Sequence, residues 1–314
     1  MGRYTGPVID AHHHFWEPHL GRQPWLRPEA QIPFRYGSYE AIKRSYLPPD
    51  LRRDAAGLNL VGSVYMETEW ELDDPIGEMR YVADLADRYR LPNAAVAHAV
   101  LRDPRVEEVL EQLAGWPLVR SVRNKPGQAP SPEAAATSPS LLLDPDWRRG
   151  YALLARYDLH FELQVAWWHF PEAVDLATRY PDQVIIVNHA GLPADRSEAM
   201  LQAWEANVRR VAEMPNVLMK VSGIGLPGEA WTVARNRRIV ETLADAFGVD
   251  RIMFASNFPV DSLCGSYADI MGGFLEISRE WSAMEQFDAF AGTVIRTYRL
   301  DPALAGESPR ANIL

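Results

Sequence analysis

The sequence contains one cysteine, Cys264, so it can form neither an intrachain disulfide nor a zinc site built from several thiolates. It has no apolar run near the roughly 18 residues that a transmembrane helix requires. Its N-terminus shows no charged segment followed by a hydrophobic one, as a secretory leader would. We therefore expect a cytoplasmic protein without a membrane partner.

Stretches of positive charge are absent as well. The chain has 32 lysines and arginines against 42 aspartates and glutamates, which gives a formal net charge of −10. Proteins that bind phosphate backbones need a basic face, so nucleic acid is not an expected partner. No glycine-rich phosphate-binding turn follows any apolar segment, which argues against a dinucleotide-binding fold.

Short apolar segments alternate with amphipathic segments over almost the whole chain. The apolar segments predict eight strands, at residues 7–14, 60–67, 94–101, 118–124, 160–165, 183–190, 217–223 and 251–257. The segments between them predict helices, for example at 107–116, 145–158, 171–181 and 237–248. In the last of these, Val240, Leu243 and Phe247 follow the helical repeat and Gly248 stands at the expected C-cap.

Apolar strands that alternate with helices pair in parallel and are covered by those helices on the outside. Eight such units in a chain of 314 residues predict an α/β protein, a distorted (β/α)8 TIM barrel with a long loop after the first strand. The chain has the length of one such domain, which we assign to residues 1–314. An open doubly wound sheet is the alternative.

Two segments interrupt the alternation of strands and helices. Residues 17–50, rich in proline, tryptophan and tyrosine, form a long excursion after the first strand. Long loops in compact domains are often functional, and aromatic side chains suit a lid over a substrate. Residues 125–139 have the composition of a flexible surface loop after the fourth strand.

In a barrel of this kind, catalytic groups lie at the carboxyl ends of the strands. The first predicted strand ends in His12, His13 and His14. Side chains alternate along a strand, so His12 and His14 share one face while His13 points to the other. Two imidazoles in this arrangement can chelate one divalent ion or flank one substrate group.

Polar residues end other predicted strands too. His189 ends the sixth strand, across the barrel from the first, and is a third candidate for the site. Arg123 and Lys125 can hold a carboxylate or a lactone carbonyl, and pairing with Glu67 across the barrel mouth is the alternative. Further candidates for substrate binding are Gln164, Trp167, Trp168, Ser222 and Trp25, with packing as the alternative for the tryptophans.

Four motifs together resemble the amidohydrolase-related group of the amidohydrolase superfamily: IDAHHHFWEP, VNHAGLP, MKVSGIG and RIMFASNFPVD. The pattern is most similar to the branch of 2-pyrone-4,6-dicarboxylate lactonase and the L-fucono- and L-rhamnonolactonases. The resemblance covers residues 7–300 and implies a distorted TIM barrel that hydrolyses a ring ester or a related carboxyl-bearing substrate. It matches His12 and His14 with the family's strand-one His-x-His and His189 with a strand-six histidine.

One position departs from the family's pattern. The eighth strand of the family ends in GSDWP or GSDFP, whose aspartate activates water or completes a metal site, whereas ASNFP places Asn257 there. An amide is not a general base and is a poor metal ligand, so we expect no tightly held metal. Asp261 is the nearest replacement carboxylate, with a loop-capping role as the alternative. In the metal-dependent alternative, one zinc or manganese ion is bound by His12, His14, His189 and Asp261.

These features predict a hydrolase that opens the lactone of a sugar acid or an aromatic catabolite. Water attacks the ring carbonyl, and His189 or Asp261 accepts its proton. His12, His14 and Asn257 donate hydrogen bonds to the oxyanion and the leaving oxygen. The alternatives are a metal-dependent decarboxylase or C–C hydrolase of the same superfamily, and a barrel that binds a small molecule without chemistry. The expected partner is a small carboxylate or lactone, and the resemblance to the superfamily is compatible with a homodimer.

Overall fold

Eight parallel strands form one sheet whose neighbours follow chain order. The computed structural model describes residues 4–306, so residues 1–3 and 307–314 of the predicted domain lie outside the described residues. The strands are β1 (Val8–His13), β2 (Leu60–Met66), β3 (Ala94–His98), β4 (Val119–Arg123), β5 (His160–Leu163), β6 (Ile185–Val187), β7 (Val217–Val221) and β8 (Ile252–Phe254). Past β8, the Asn257 N–H donates to the His12 carbonyl at 2.8 Å and the His14 N–H donates to the Phe258 carbonyl at 2.7 Å. These bonds join the two ends of the sheet, and the predicted (β/α)8 barrel is confirmed.

Most helices lie between the strands and pack on their outer faces. The helices are α1 (Pro48–Asp54), α2 (Pro75–Tyr89), α3 (Val106–Ala114), α4 (Pro132–Ala135), α5 (Pro145–Leu153), α6 (Phe170–Arg179), α7 (Glu198–Ala212), α8 (Val233–Phe247), α9 (Tyr267–Ile277), α10 (Ala283–Phe287) and α11 (Thr293–Tyr298). The last two, α10 and α11, follow β8 and pack against the apolar residues inside the barrel. As predicted, α8 buries Val240, Leu243 and Phe247. It ends at Gly248, whose N–H donates to the Ala244 carbonyl at 2.9 Å. Within residues 4–306, every helix is too short or too polar to cross a lipid bilayer.

Two apolar clusters divide the strand residues between them. One cluster joins the outer faces of the strands to the helices. The other fills the barrel with residues that alternate with the first set, among them Ile9, Ala11, Val64, Met66, Val96, Ile186 and Met253. Parallel strands covered by helices bury both faces, which explains why the sequence shows continuous apolar runs at these strands.

A buried ion pair lies inside the barrel on β5 and β7. Lys220 and Glu162 are both fully buried, and the Lys220 Nζ lies 3.0 Å from the Glu162 carboxylate. The Asn188 side chain and the Tyr298 hydroxyl also donate to that carboxylate. Because both charges are paired and hydrogen-bonded, their burial is tolerated.

Residues 17–50 cross the mouth of the barrel. They contain the short 3-10 turns Pro18–Leu20, Pro24–Leu26 and Glu40–Ile42. Their aromatic rings pack on one another, with centroids 5.9 Å apart for Trp25 and Phe34 and 4.9 Å apart for Phe34 and Tyr39. The rings hold the segment as a covering layer, which is the position that a lid would take.

Residues 125–139 contain a short helix, α4, which the loop prediction omitted. The Ala129 N–H donates to His169 Nε2 at 2.9 Å, and Trp168 Nε1 donates to the Ala129 carbonyl at 3.1 Å. These two bonds fasten the segment to the start of α6.

Candidate active site

A cavity of about 300 Å³ opens at the carboxyl ends of the strands, beneath residues 17–50. Among the residues predicted from the sequence, those that line it are His14, Trp25, Glu67, Arg123, Lys125, Gln164, His189 and Asn257. Barrel closure therefore brings side chains from most of the length of the chain into one space. The carboxyl ends of parallel strands meet at one face of a barrel, as expected for an active site.

The remaining predicted residues lie behind this lining or beside it. His12, Ser222 and Asp261 are fully buried and each contacts a residue that lines the cavity. Trp168 lines a neighbouring depression. Trp167 is buried with its ring against Trp168, so its placement fits the packing alternative and not substrate stacking.

The histidine pair of β1 meets His189 across the barrel. The ring centroid of His12 lies 5.3 Å from that of His14 and 4.5 Å from that of His189. His13 turns away and packs its ring 4.3 Å from Phe15. His12 and His14 therefore lie on one side and His13 on the other, as strand alternation predicts. Ala11 and His12 are neighbours in the chain and both lie inside the barrel, which the register shift between Asp10 and His13 makes possible.

His14 presents a hydrogen-bond acceptor to the cavity. Its Nδ1 lies 2.9 Å from the Met66 carbonyl oxygen, which can only accept, so Nδ1 carries the hydrogen. Burial lowers the pKa of His14 to about 3, and the Arg123 charge adds to this, so the ring is neutral at pH 7. Its Nε2 then has a lone pair and no hydrogen. The expected role of His14 as a donor to an oxyanion does not fit this tautomer.

His189 is held by the neighbouring strand and by an unusual backbone conformation. Its Nδ1 lies 2.9 Å from the Ser222 hydroxyl. Its φ of 55° is in the left-handed region, which residues other than glycine adopt rarely. Burial, followed by the charges of Arg35 and Arg123, lowers the pKa of His189 well below its ordinary value. The imidazole is thus neutral and can accept a proton.

His12 has no hydrogen-bond partner for either ring nitrogen among residues 4–306, although it is fully buried. Burial lowers its pKa well below the ordinary value, and the nearby His189 and Lys220 contribute in the same direction. A neutral imidazole without partners is costly in an interior site. The same holds for the ring of His13 on the opposite face, but His12 lies beside the cavity-lining rings of His14 and His189.

Asn257 and Asp261 form one unit in which only the amide reaches the cavity. Asn257 Nδ2 donates to Asp261 Oδ1 at 2.6 Å, and the Tyr36 hydroxyl donates to the same oxygen at 2.9 Å. Burial raises the pKa of Asp261 to about 6, although the Arg35 charge and these hydrogen bonds oppose the shift. The carboxylate lies behind Asn257, so it orients the amide and does not contact a ligand in the cavity.

Ion pairs dominate the β2 and β4 side of the cavity. Arg123 Nε lies 2.6 Å from Glu67 Oε1, and its Nη1 donates to Gln164 Oε1 at 2.9 Å. Burial is the largest single influence and favours the neutral form of Glu67, but the charge of Arg123, together with His98, Lys125 and the Glu69 N–H, outweighs it and lowers the pKa of Glu67 to about 2. Lys125 pairs with Glu69 and not with Glu67. The alternative stated for Arg123, pairing with Glu67, is what the structure contains.

A family model described as amidohydrolase matches residues 9–300. The chain belongs to the amidohydrolase family. An uncharacterized protein, y4mH, from Sinorhizobium fredii is 34% identical over 294 residues, which cover 93% of this chain and 98% of that protein. An L-fucono-1,5-lactonase from Burkholderia multivorans is 27% identical over 312 residues, which cover 94% of this chain and 97% of that protein.

Solved structures agree with this assignment. An amidohydrolase from Burkholderia multivorans has been crystallised with bound HEPES and with bound zinc. Both structures have a TM-score of 0.76 to this chain, with 26% and 25% identity, and each match covers 94% of this chain and 99% of the other. The resemblance to the amidohydrolase-related group is therefore confirmed, and the protein is an amidohydrolase-family enzyme.

The zinc in that relative raises the question whether this amidohydrolase has a metal-binding set. The unpaired nitrogens of His12 and the lone pair of His14 are suitable donors. The Asp261 carboxylate accepts from Asn257 and Tyr36 at Oδ1, and its Oδ2 is buried without a hydrogen-bond partner among the described residues. Between residues 4 and 306, no three His, Cys, Asp or Glu side chains are arranged to hold a metal ion. The set His12, His14, His189 and Asp261 therefore does not fit a metal in this structure.

Sequence reasoning missed several residues of this site, among them three from the segment that crosses the barrel mouth. Arg35 and Phe34 line the cavity from the segment that crosses the barrel mouth, and Tyr36 holds Asp261. A search for polar residues at the ends of predicted strands cannot find them, because they belong to a loop with no regular repeat. The aromatic composition of residues 17–50 was the one available signal, and it indicated the segment but not the residue.

Proposed function

We propose that this amidohydrolase opens the ring of a lactone, of the sugar-acid or aromatic-catabolite type, by attack of water on the ring carbonyl. The observation that carries this proposal is a single cavity in which neutral histidines lie beside Asn257 and share the space with a fixed Arg123–Gln164 pair. The similarity to an L-fucono-1,5-lactonase at 27% identity supports the lactone class.

His189 is the proposed general base. In the tautomer whose Nδ1 donates to the Ser222 hydroxyl, the neutral ring offers Nε2 to a water in the cavity. As the water oxygen bonds to the ring carbonyl carbon, its proton moves to His189. When the bond from that carbon to the ring oxygen breaks, His189 returns the proton to the ring oxygen, which leaves as a hydroxyl. This assignment is preferred over Asp261, which lies behind Asn257.

Asn257 positions the reacting groups. Its Nδ2 donates one hydrogen to Asp261, which fixes the orientation of the amide. The second Nδ2 hydrogen and the carbonyl oxygen remain for the oxyanion and the attacking water. His14 Nε2 accepts a hydrogen bond from a substrate hydroxyl or from that water, as its tautomer requires.

The other lining residues hold the rest of the substrate. Arg123 is fixed by Glu67 and Gln164, so its remaining N–H groups and the Gln164 amide present a rigid donor array to a carboxylate or hydroxyls. Lys125 extends this array at the rim. Trp25 offers an aromatic face, which suits the carbon face of a sugar or pyrone ring.

We also propose that the reaction does not depend on a tightly bound metal. The support is the donor set: an amide in place of the family's strand-eight aspartate, and an Asp261 carboxylate already engaged by Asn257 and Tyr36. The test is metal analysis of the purified protein together with assays before and after chelation. About one equivalent of zinc or manganese, whose removal abolishes activity, would contradict this part of the proposal.

The function is tested with a lactone panel. The panel contains L-fucono-1,5-lactone, L-rhamnonolactone and 2-pyrone-4,6-dicarboxylate, and ring opening is followed by proton release. We expect turnover of at least one compound, and a fall in kcat of about 10²- to 10⁴-fold in His189→Asn. The control is His19→Asn, which changes an exposed histidine. A folded wild-type protein that opens none of these lactones would contradict the proposal.

A further inference from the structure

Arg35 differs from the other cations that line the cavity. Arg123 is paired with Glu67, and Lys125 is paired with Glu69. Over residues 4–306, Arg35 forms no ion pair with any carboxylate, although it is only partly exposed to solvent. An arginine is charged at every working pH, so the cavity contains one permanent positive charge without a paired anion.

The guanidinium of Arg35 is fixed in place. Its Nη2 donates to the Gly223 carbonyl, and its Cζ lies 4.7 Å from the centre of the Tyr36 ring. Gly223 has a φ of 57°, and a Cβ there would lie 2.5 Å from His189 Nδ1 and 3.0 Å from Arg35 Nη1. Glycine therefore permits Arg35 and the proposed base to approach the same point, which places the charge next to the reacting groups.

A second arginine increases the positive potential at this point. Arg196 donates from Nη2 to the Ile224 carbonyl at 2.8 Å, and it too forms no ion pair among the described residues. Burial, with a contribution from the Arg35 charge, lowers the pKa of Arg196 to about 10. Two guanidinium groups thus bind consecutive carbonyls, and neither forms an ion pair within residues 4–306. The Arg35 charge acts on the carboxylate of Asp261, where it opposes the rise in pKa, but the two side chains form no ion pair in this part of the chain.

The reaction proposed above creates a negative charge in this cavity. Water adds to the carbonyl carbon of a neutral ring and forms an oxyanion. The carbon–oxygen bond of the ring then breaks, the ring oxygen leaves as a hydroxyl, and the acid that remains releases one proton to give a carboxylate. Groups that bind the charged states better than the neutral lactone accelerate the reaction.

We propose that Arg35 is the anion subsite of the cavity: it binds the oxyanion and then the carboxylate formed at the reacting carbon. This inference rests on the proposed function. It follows that the enzyme binds the open-chain hydroxy acid more tightly than a neutral ring of the same size.

The test is a calorimetric comparison of L-fuconate, an open-chain anion, with L-fucose, a neutral ring. In Arg35→Gln, we expect L-fuconate binding to weaken by about 10- to 100-fold, the range of a charge-assisted hydrogen bond, and L-fucose binding to change little. Arg35→Lys keeps the charge and should recover part of the loss. The control is Arg27→Gln, which removes one charge from the same segment outside the cavity.

Two results would overturn the subsite: no binding of L-fuconate to the wild-type protein, or equal binding to the wild type and Arg35→Gln. Thermal unfolding of each variant checks that the fold is retained. If Arg35→Gln does not fold, L-fuconate binding by Arg35→Lys is compared with that of the wild type instead. Lactone turnover is scored separately. Arg35-dependent binding in a protein that opens no lactone would reject the proposed function alone, and lactone turnover with kcat unchanged in Arg35→Gln would reject the subsite alone.

Discussion

On the β1, β6 and β8 side of the cavity, which we call the histidine wall, His14 and His189 are buried as neutral rings. On the β2, β4 and β5 side, the ion-pair wall, Glu67 and Arg123 are buried as charges in direct contact, and Gln164 is attached to them. The two histidines, Glu67 and Arg123 are all buried. The difference lies in whether a buried group has a charge of opposite sign beside it.

This difference separates two tasks. Without an adjacent carboxylate, burial holds each imidazole in its neutral form, so one ring nitrogen is left with a lone pair. With Arg123 beside it, Glu67 remains ionised despite burial, and neither group is free to exchange a proton. The histidine wall is thus suited to proton transfer and the ion-pair wall to holding a substrate in position.

Removing the proposed base should have the largest effect. His189→Asn keeps a polar side chain of smaller size but removes the proton acceptor, so kcat should fall by about 10²- to 10⁴-fold with little change in KM. Steady-state kinetics on the lactone found by the panel measures this. If kcat falls less than tenfold, the histidine wall does not supply the base.

Separating the ion pair should mainly affect stability. Arg123→Gln leaves the Glu67 carboxylate buried without a counter-charge, and we expect a loss of about 3–5 kcal/mol in the free energy of unfolding at pH 7. Urea denaturation measures it. The double variant Glu67→Gln with Arg123→Gln should recover part of the loss, because no charge is then left unpaired.

The same pair predicts the acid stability of the wild type. The folded pKa of Glu67 lies below its unfolded value, so its contribution to stability is present above the unfolded pKa and is lost as pH falls toward about 2. In Arg123→Gln this acid-induced loss should be smaller or reversed. An identical dependence on pH in both proteins between pH 5 and 2 would show that the pair does not control it.

Asp261→Asn tests the carboxylate that holds Asn257 behind the histidine wall. The folded pKa of Asp261 is raised to about 6 by burial, so its ionisation costs the wild type stability as pH rises from about 4 to above 6. The variant stays neutral, and its stability relative to the wild type should increase over that window.

Wild-type kcat should fall below about pH 6, when the carboxyl is protonated and no longer fixes the Asn257 amide. A pH profile unchanged by Asp261→Asn would contradict the positioning role.

The smallest effect is expected at the rim of the ion-pair wall. Lys125 and Glu69 have side chains 40% and 43% exposed, and such pairs contribute less than about 1 kcal/mol. Lys125→Gln should therefore unfold within about 1 kcal/mol of the wild type and raise KM only a few-fold. A loss of stability as large as that of Arg123→Gln would mean that solvent exposure does not explain the different contributions of the Lys125–Glu69 and Arg123–Glu67 pairs.

The strands were predictable because their apolar residues are contiguous and their order follows the chain. Their ends were not. Residues 183–190 were predicted as one strand, but β6 contains only Ile185–Val187. The polar residues that follow leave the sheet at His189, where φ is positive. Sequence patterns cannot locate this departure, since it depends on a contact with Ser222, just past the end of β7.

The sequence by itself determined the barrel and about half of the cavity lining, because strand ends in a parallel barrel must converge and His14, His189 and Asn257 are close to those ends. Tertiary structure decided what each group can do. The Met66 carbonyl selects the tautomer of His14, the register shift in β1 turns His12 inward, and Asn257 covers Asp261. It also decided that Arg35 lines the cavity and forms no ion pair with a carboxylate of residues 4–306. Loop conformation and charge pairing depend on contacts between residues that are distant in the chain.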